Sequence, residues 1–144
     1  MSYKKILVAV DLTAESKAVA DKAREVADLY KATLTMVHVV EPVVIDNANE
    51  AMPTIPYDIE TTLVEHAKVH LDKLAQRLKG EVDCKVEHGS VKREVFRLVE
   101  ENNIDLIVVG THGRHGVGLL LGSTANAILH GTPCDVLAVK IEED

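Results

Sequence analysis

The chain reads as an α/β protein, a single doubly wound domain over residues 1–144 with a five-stranded parallel sheet and four helices. Three observations predict it. Short runs rich in Val, Ile and Leu alternate with longer amphipathic stretches, the pattern that sets helices between parallel strands. The first run is continuously apolar up to Asp11, as a strand covered on both faces requires. A length of 144 residues suits one domain, and folding at that size buries roughly 68% of the chain's surface, enough for a core without staples.

Lys4–Val10 ("KKILVAV") is the first strand and ends at Asp11. Thr13 offers an N-cap to a helix over Ala14–Tyr30, in which Ala18, Val19, Ala23, Val26, Ala27 and Tyr30 share a face. Thr33–Val40 is the second strand. Glu41–Pro56 holds three of the four prolines and is expected to be a long, partly disordered loop. Ile59, Leu63, Ala67, Leu71, Leu74 and Leu78 recur at helical spacing, giving a helix over Tyr57–Lys79 with Gly80 as its stop.

Asp83–Glu87 is a shorter strand. Ser90 can cap a helix over Val91–Asn102 that turns Val95, Leu98 and Val99 inward. Ile104–Val109 is the fourth strand; a helix through Ala125–Leu129 and a strand over Asp135–Lys140 close the chain, with Pro133 where no ladder donor is needed. Right-handed crossovers then lay helices on both faces. Such sheets take the order 2-1-3-4-5 or the Rossmann-like 3-2-1-4-5, between which periodicity does not choose. In the second, the winding reverses between the strand ends at Asp11 and Gly110, and a ligand crevice belongs there.

Composition narrows the function. Apolar residues are 47% and charged residues 27%, far from a disordered composition. Sixteen basic against 23 acidic residues give a formal charge of −7, which repels a phosphate backbone, so nucleic acid is not an expected partner. The N-terminal apolar run stops at Asp11, short of the roughly 7–15 residues of a secretory core or the roughly 20 of a membrane span. A cytoplasmic protein with no membrane partner is expected. Cys84 and Cys134 are expected as buried, reduced thiols in strand-like contexts.

The stretch "GTHGRHGVGLLLGST", Gly110–Thr124, packs five glycines behind the fourth strand. It does not match the G-x-x-x-x-G-K-[ST] pattern, and the first strand is followed by "DLTAES" instead of the glycines of a dinucleotide fingerprint. Glycines allow close approach of a ligand, and a helix starting near Gly122 favours an anion, with Ser123 and Thr124 adding hydroxyls. Flexible punctuation explains an isolated glycine-rich loop equally well. Its place at the switch point of the second order favours a ligand.

Over nearly its whole length the chain resembles the universal stress protein family, through "KKILVAVDLTAES", "HVVEP", "DLIVVGTHGRHG", "LLLGSTANAIL" and "PCDVLAVK" in that order. The resemblance implies the order 3-2-1-4-5, a homodimer along the last strand (135–140), and a stress-associated role in the cytoplasm. Many members bind ATP through G-x-x-G, an intervening stretch and G-[ST], matched here by Gly110, Gly113, Gly122 and Ser123. The intervening "RHGVGLLL" is one residue shorter than is usual in nucleotide-binding members.

Carried over residue by residue, the resemblance sets Ala9, Val10 and Asp11 beside adenine and ribose, with Val39 on the apolar side of the base. Val109 and Gly110 offer backbone contacts; Gly113, Gly122, Ser123 and Thr124 surround the phosphates. Asp11 would accept ribose hydroxyls or orient a phosphate-bound Mg²⁺, and it can also cap backbone donors. His112 and Arg114 are either phosphate partners or solvated loop residues.

His38, inside the second strand, reads as a hydrogen-bonded core histidine. His66 and His70 have zinc-compatible spacing but lack the glutamate of a zinc-protease helix ("HAKVH"), and read as chance surface placement. No set of residues for efficient phosphoryl transfer is evident. The expected function is an ATP-dependent regulatory dimer, with ADP or AMP as substitutes and an unidentified protein partner; residues 41–56 would be a lid, and hydrolysis slow at most. The alternative is a nucleotide-free dimer acting through protein contacts.

Overall fold

In the computed structural model, which describes residues 2–42, 57–111 and 122–141, β1 (Lys5–Ala9), β2 (Thr33–Val40), β3 (Asp83–His88), β4 (Leu106–Gly110) and β5 (Asp135–Val139) form one parallel sheet. The order is β3-β2-β1-β4-β5. That is the second of the two orders left open by periodicity. Helices α1 (Ser16–Tyr30), α2 (Tyr57–Arg77), α3 (Val91–Asn102) and α4 (Ser123–Leu129) alternate with the strands.

Strand alternation divides the core in two. Ile6 and Val8 of β1, Leu34 and Met36 of β2, and Leu106 and Val108 of β4 meet α1 and α2 on one face. Leu7 and Ala9, Val37 and Val39, and Ile107 and Val109 meet α3 and α4 on the other. Fully burying each Val, Leu or Ile contributes about 1.5–3 kcal/mol, so these central strands dominate the apolar driving force. On α1 the contact is made through Val19, Ala20, Ala23 and Ala27, small residues that let the helix lie close to the sheet.

The joints of the sheet are polar. Asp105, just before β4, accepts hydrogen bonds from the amides of Lys4 (2.9 Å) and Lys5 (3.1 Å), while its own amide donates to the Lys5 carbonyl (2.9 Å). This fixes the start of β4 against the start of β1. Arg97 of α3 reaches Glu87 of β3 at 3.1 Å and Glu94 and Glu101 at 2.8 Å each, tying the helix to the sheet edge. Ser90 caps α3 by accepting from the Arg93 amide at 3.4 Å.

Several boundaries differ from expectation. Helix α1 starts at Ser16, with Glu15 at its N-cap and no side-chain cap, so Thr13 is not the cap. The reason is Asp11, whose carboxylate gathers Thr13 and Ser16 and holds the intervening residues in a turn. Ala18 faces solvent and Ala20 is the buried neighbour of Val19, because the helix turns its alanine stripe to the sheet. Ile59 and Leu63 are exposed at 49% and 38%, so only the later half of α2, with Ala67, Leu71, Leu74 and Leu78, reaches the core. Helix α4 begins two residues earlier than expected, at Ser123, and β4 two residues later, because Ile104 and Asp105 belong to the joint with β1. Residues 43–56 of the expected loop lie outside the described residues.

The two thiols are half-buried instead of buried, and Cys134 stands in the bend before β5. Burial pushes both thiols up, helped by Asp72 and Asp83 at Cys84 and by Asp135 at Cys134. A raised pKa leaves less thiolate, the reactive species. At or below about pH 8.5, the ordinary thiol value, Ellman's reagent should therefore modify the folded protein more slowly than the chain unfolded in urea, and the gap should close as pH rises; equal rates at neutral pH would contradict the assignment.

Candidate ligand crevice at the switch point

The crevice is built at the carboxyl ends of β1, β2 and β4. Immediately after β1, Asp11 Oδ1 accepts three hydrogen bonds, from the Thr13 amide (3.1 Å), Thr13 Oγ1 (2.7 Å) and Ser16 Oγ (3.0 Å). Oδ2 has no partner among the described residues. Between these anchors Leu12 adopts φ 61°, a left-handed conformation rare for a branched side chain. The turn is thus held by side-chain oxygen contacts, and it sets the carboxylate at the mouth of the sheet.

Two cavities share Ala9, Val10, Asp11, Gly122 and Thr124 in their walls. The larger, about 530 Å³, is completed on the β2 side by Val37, His38, Val39 and Glu41. The smaller, about 60 Å³, runs inward past Ser16, Val19, Gly110, Ala125 and Ile141. His38 Nδ1 lies 2.8 Å from the Val10 carbonyl. Because a carbonyl only accepts, Nδ1 carries the proton and a neutral His38 keeps Nε2 as an acceptor. With the Val10 amide donating to the Val37 carbonyl at 3.0 Å, this bond extends the β1–β2 pairing past the last ladder residue and fixes Val10 beside Asp11.

Of the residues expected at the site, Ala9, Val10, Asp11, Val39, Gly110, Gly122 and Thr124 line these cavities. Val109, expected to offer its backbone, is not among their wall residues, and its side chain is fully buried against α3 and α4. His112, Gly113 and Arg114 lie outside the described residues, as do Gly116 and Gly118, and Ser123 is placed only as the first residue of α4. His38, Glu41, Val91 and Ile141 are wall residues the sequence reading did not pick out. For His38, Glu41 and Val91 the signal was available, since each lies at or beyond a strand's carboxyl end, where open α/β sheets bind ligands.

Two glycines prove to have local work. A methyl at Gly110 would stand 3.0 Å from Val19 Cγ2 and 3.3 Å from Ile141 Cδ1, so this position is kept bare by packing. Gly122, the N-cap of α4, donates its amide to the Thr111 carbonyl, and its own carbonyl accepts from Asn126 at 2.9 Å. Its N–H is therefore engaged within the protein. The amides of Ser123 and Thr124, in the first turn, are the ones a helix start leaves without an intrahelical partner. Among the described residues no three His, Cys, Asp or Glu side chains gather to hold a metal ion, and no helix is long and apolar enough to cross a membrane.

A family model for the universal stress proteins matches residues 2–140 of the chain. The chain belongs to the universal stress protein family. Universal stress protein A homolog 1 of Coxiella burnetii is 47% identical over 99% of this chain and 100% of its own length. Homolog 2 from the same organism is 41% identical over 98% of this chain and 97% of its own. Among solved structures, a universal stress protein UspA from Lactobacillus plantarum superposes with a TM-score of 0.76 at 24% identity, covering 96% of this chain and 99% of that one. A universal stress protein from Archaeoglobus fulgidus in complex with dAMP gives 0.65 at 20% identity, over 99% of this chain and 100% of that one. Another, in complex with cAMP, gives 0.63 at 21%, over 97% and 98%. At these identities the structural likeness is one of fold, and the five-stranded order of this universal stress protein is that fold.

Packing at Gly110 gives a direct expectation. Gly110→Ala brings a methyl closer to Val19 and Ile141 than ordinary van der Waals contact; with both held by the core this overpacking costs about 1–3 kcal/mol, and thermal unfolding followed by circular dichroism should show a melting point lowered by several degrees. An unchanged melting point would mean that Val19 and Ile141 have room to give.

Proposed function

We propose that the crevice binds an adenine nucleotide, ATP with its phosphate-bound Mg²⁺ foremost and ADP or AMP in the same seat. The protein would then act as a cytoplasmic, nucleotide-dependent regulatory dimer and not as an enzyme, with slow hydrolysis at most. The observation that carries this reading is the division of roles on Asp11. Oδ1 is spent on locking the turn, while Oδ2 has no partner among the described residues, in the wall of a cavity of about 530 Å³. A carboxylate already held in place accepts ribose hydroxyls with little further ordering cost. Val37 and Val39 give a planar base an apolar wall, and the cavity falls within the roughly 300–1,000 Å³ usual for small-ligand sites. The cAMP and dAMP complexes of two structural neighbours support an adenine nucleotide as the ligand class.

Assembly follows from the two sheet edges. On β3, Asp83, Lys85 and Glu87 alternate with Cys84 and Val86 and charge the open edge, a device that discourages strand addition. After Asp135, β5 runs Val136–Val139 without a charge. A second copy therefore adds along β5, residues 135–140.

The nucleotide-free reading also has support, from Gly110, kept bare by Val19 and Ile141, and from Gly122, whose amide serves Thr111. Both then have structural reasons to be glycine. Isothermal titration with Mg·ATP separates the two readings. Heat at micromolar to sub-millimolar nucleotide, weakened about tenfold or more by Asp11→Ala, equivalent to about 1.4 kcal/mol, is the expected result; no heat, and no displacement of a fluorescent analogue at millimolar nucleotide, would leave the nucleotide-free dimer.

Ala138 is exposed on β5, and Ala138→Asp should convert the protein to monomer in sedimentation equilibrium by setting like charges against each other across the new pairing. A wild-type protein that sediments as a monomer would contradict the edge assignment.

A further inference from the structure

On the other side of the β1–α1 turn lies a second groove, of about 530 Å³, between Leu12, Thr13, Ser16 and Lys17 on one wall and the later half of α2 on the other. Its α2 wall carries His70, Lys73, Leu74 and Arg77, and no carboxylate is among its lining residues. In a chain of net charge −7 this concentrates three fixed cations and an imidazole in one place. Arg77 has Asp21 at 3.7 Å, whereas Lys17 and Lys73 have no ion-pair partner among the described residues. Leu74 is 7% exposed, and Leu12, half-buried against the same core, adds a second apolar surface.

We infer that this groove docks an extended acidic segment of a partner protein. Lys73 and Arg77 stand one helical turn apart on α2, about 6 Å along its axis. Carboxylates two residues apart on an extended strand are separated by about 6.6 Å, so alternate acidic side chains match the two cations. The residues between them turn to the opposite wall, where Leu12 gives an apolar side chain a place to bury and Lys17 adds positive charge. A compact anion such as a free phosphate would use the cations but leave the exposed part of Leu12 wet. Thr13 and Ser16, which bond Asp11, line this groove as well, so the docked segment sits on the turn that forms the crevice.

The inference names the partner chemistry of the regulatory reading, but its test uses no nucleotide, so either can fail without the other. Fluorescence anisotropy of a labelled Glu-Leu-Glu-Leu-Glu peptide against the whole protein at low salt should show saturable binding that weakens with added NaCl. The same peptide with Gln for Glu should not bind. The double charge reversal Lys17→Glu with Lys73→Glu should weaken binding about tenfold or more, with Lys17→Ala and Lys73→Ala as the substitute if the reversed protein does not fold. Amide shifts in ¹⁵N spectra should centre on residues 12–17 and 70–77. No binding, binding indifferent to the lysine changes, shifts centred elsewhere, or tripolyphosphate displacing the peptide at lower concentration than the peptide itself needs would each overturn the inference, the last in favour of a small phosphate ligand.

Discussion

Ile6, Leu7 and Val8 of β1 lie opposite Leu106, Ile107 and Val108 of β4, and the chain reaches this pairing only after winding outward through β2 and β3. Because the two halves of the sheet wind away from this seam in opposite directions, the connections leaving β1 and β4 diverge, and the space between them cannot be filled by a crossover. The crevice is what that divergence leaves. Burial of the seam on both faces and the Asp105 clamp at its lower end make it rigid, so the walls above it are positioned by the most buried part of the molecule.

Much of this was legible in the sequence. Continuous apolar runs located β1 and β4, where two-sided burial leaves few polar positions, while β2 carries Thr35 and His38 within its run and Asp83–His88 gave a weaker signal because it forms an edge with one charged face. The helix faces were less secure. Ala20, Ala23 and Ala27 recur at three- and four-residue steps and share the face of Val19, whereas Ala18 lies on the far side of the helix from Ala27, so the spacing itself marks Ala20 and not Ala18 as inward. Ile59 and Leu63 continue the apolar pattern of α2 without reaching the core, since a helix pattern records spacing and not where the sheet ends. Strand order needed the family resemblance, because parallel neighbours are fixed by long-range pairing.

The candidate site was legible in outline for a different reason. Residues that end strands at the same edge of a parallel sheet are brought together by topology alone, which is how Ala9, Val10 and Asp11 come to border both cavities, with Val39 on the larger and Gly110 on the smaller. What the sequence obscures is why each residue is what it is. Gly110 reads as a glycine that invites a ligand, yet Val19 and Ile141 crowd the place its side chain would take. His38 reads as a core residue, yet it holds the last carbonyl before Asp11 and borders the cavity. Supporting and binding roles overlap in such positions, and only the contacts separate them.

The unequal margins of the sheet carry a consequence for the limit of self-assembly. A sheet with two adhesive margins can recruit copies without limit and grow into a fibre, whereas one that sticks along a single side uses up that side at the first encounter. With Asp83, Lys85 and Glu87 on one border and the uncharged Val136–Val139 run on the other, the proposed pairing along β5 would leave only charged borders of the sheet facing outward. In such a dimer the charge on each outer strand would oppose the addition of a third copy by strand pairing.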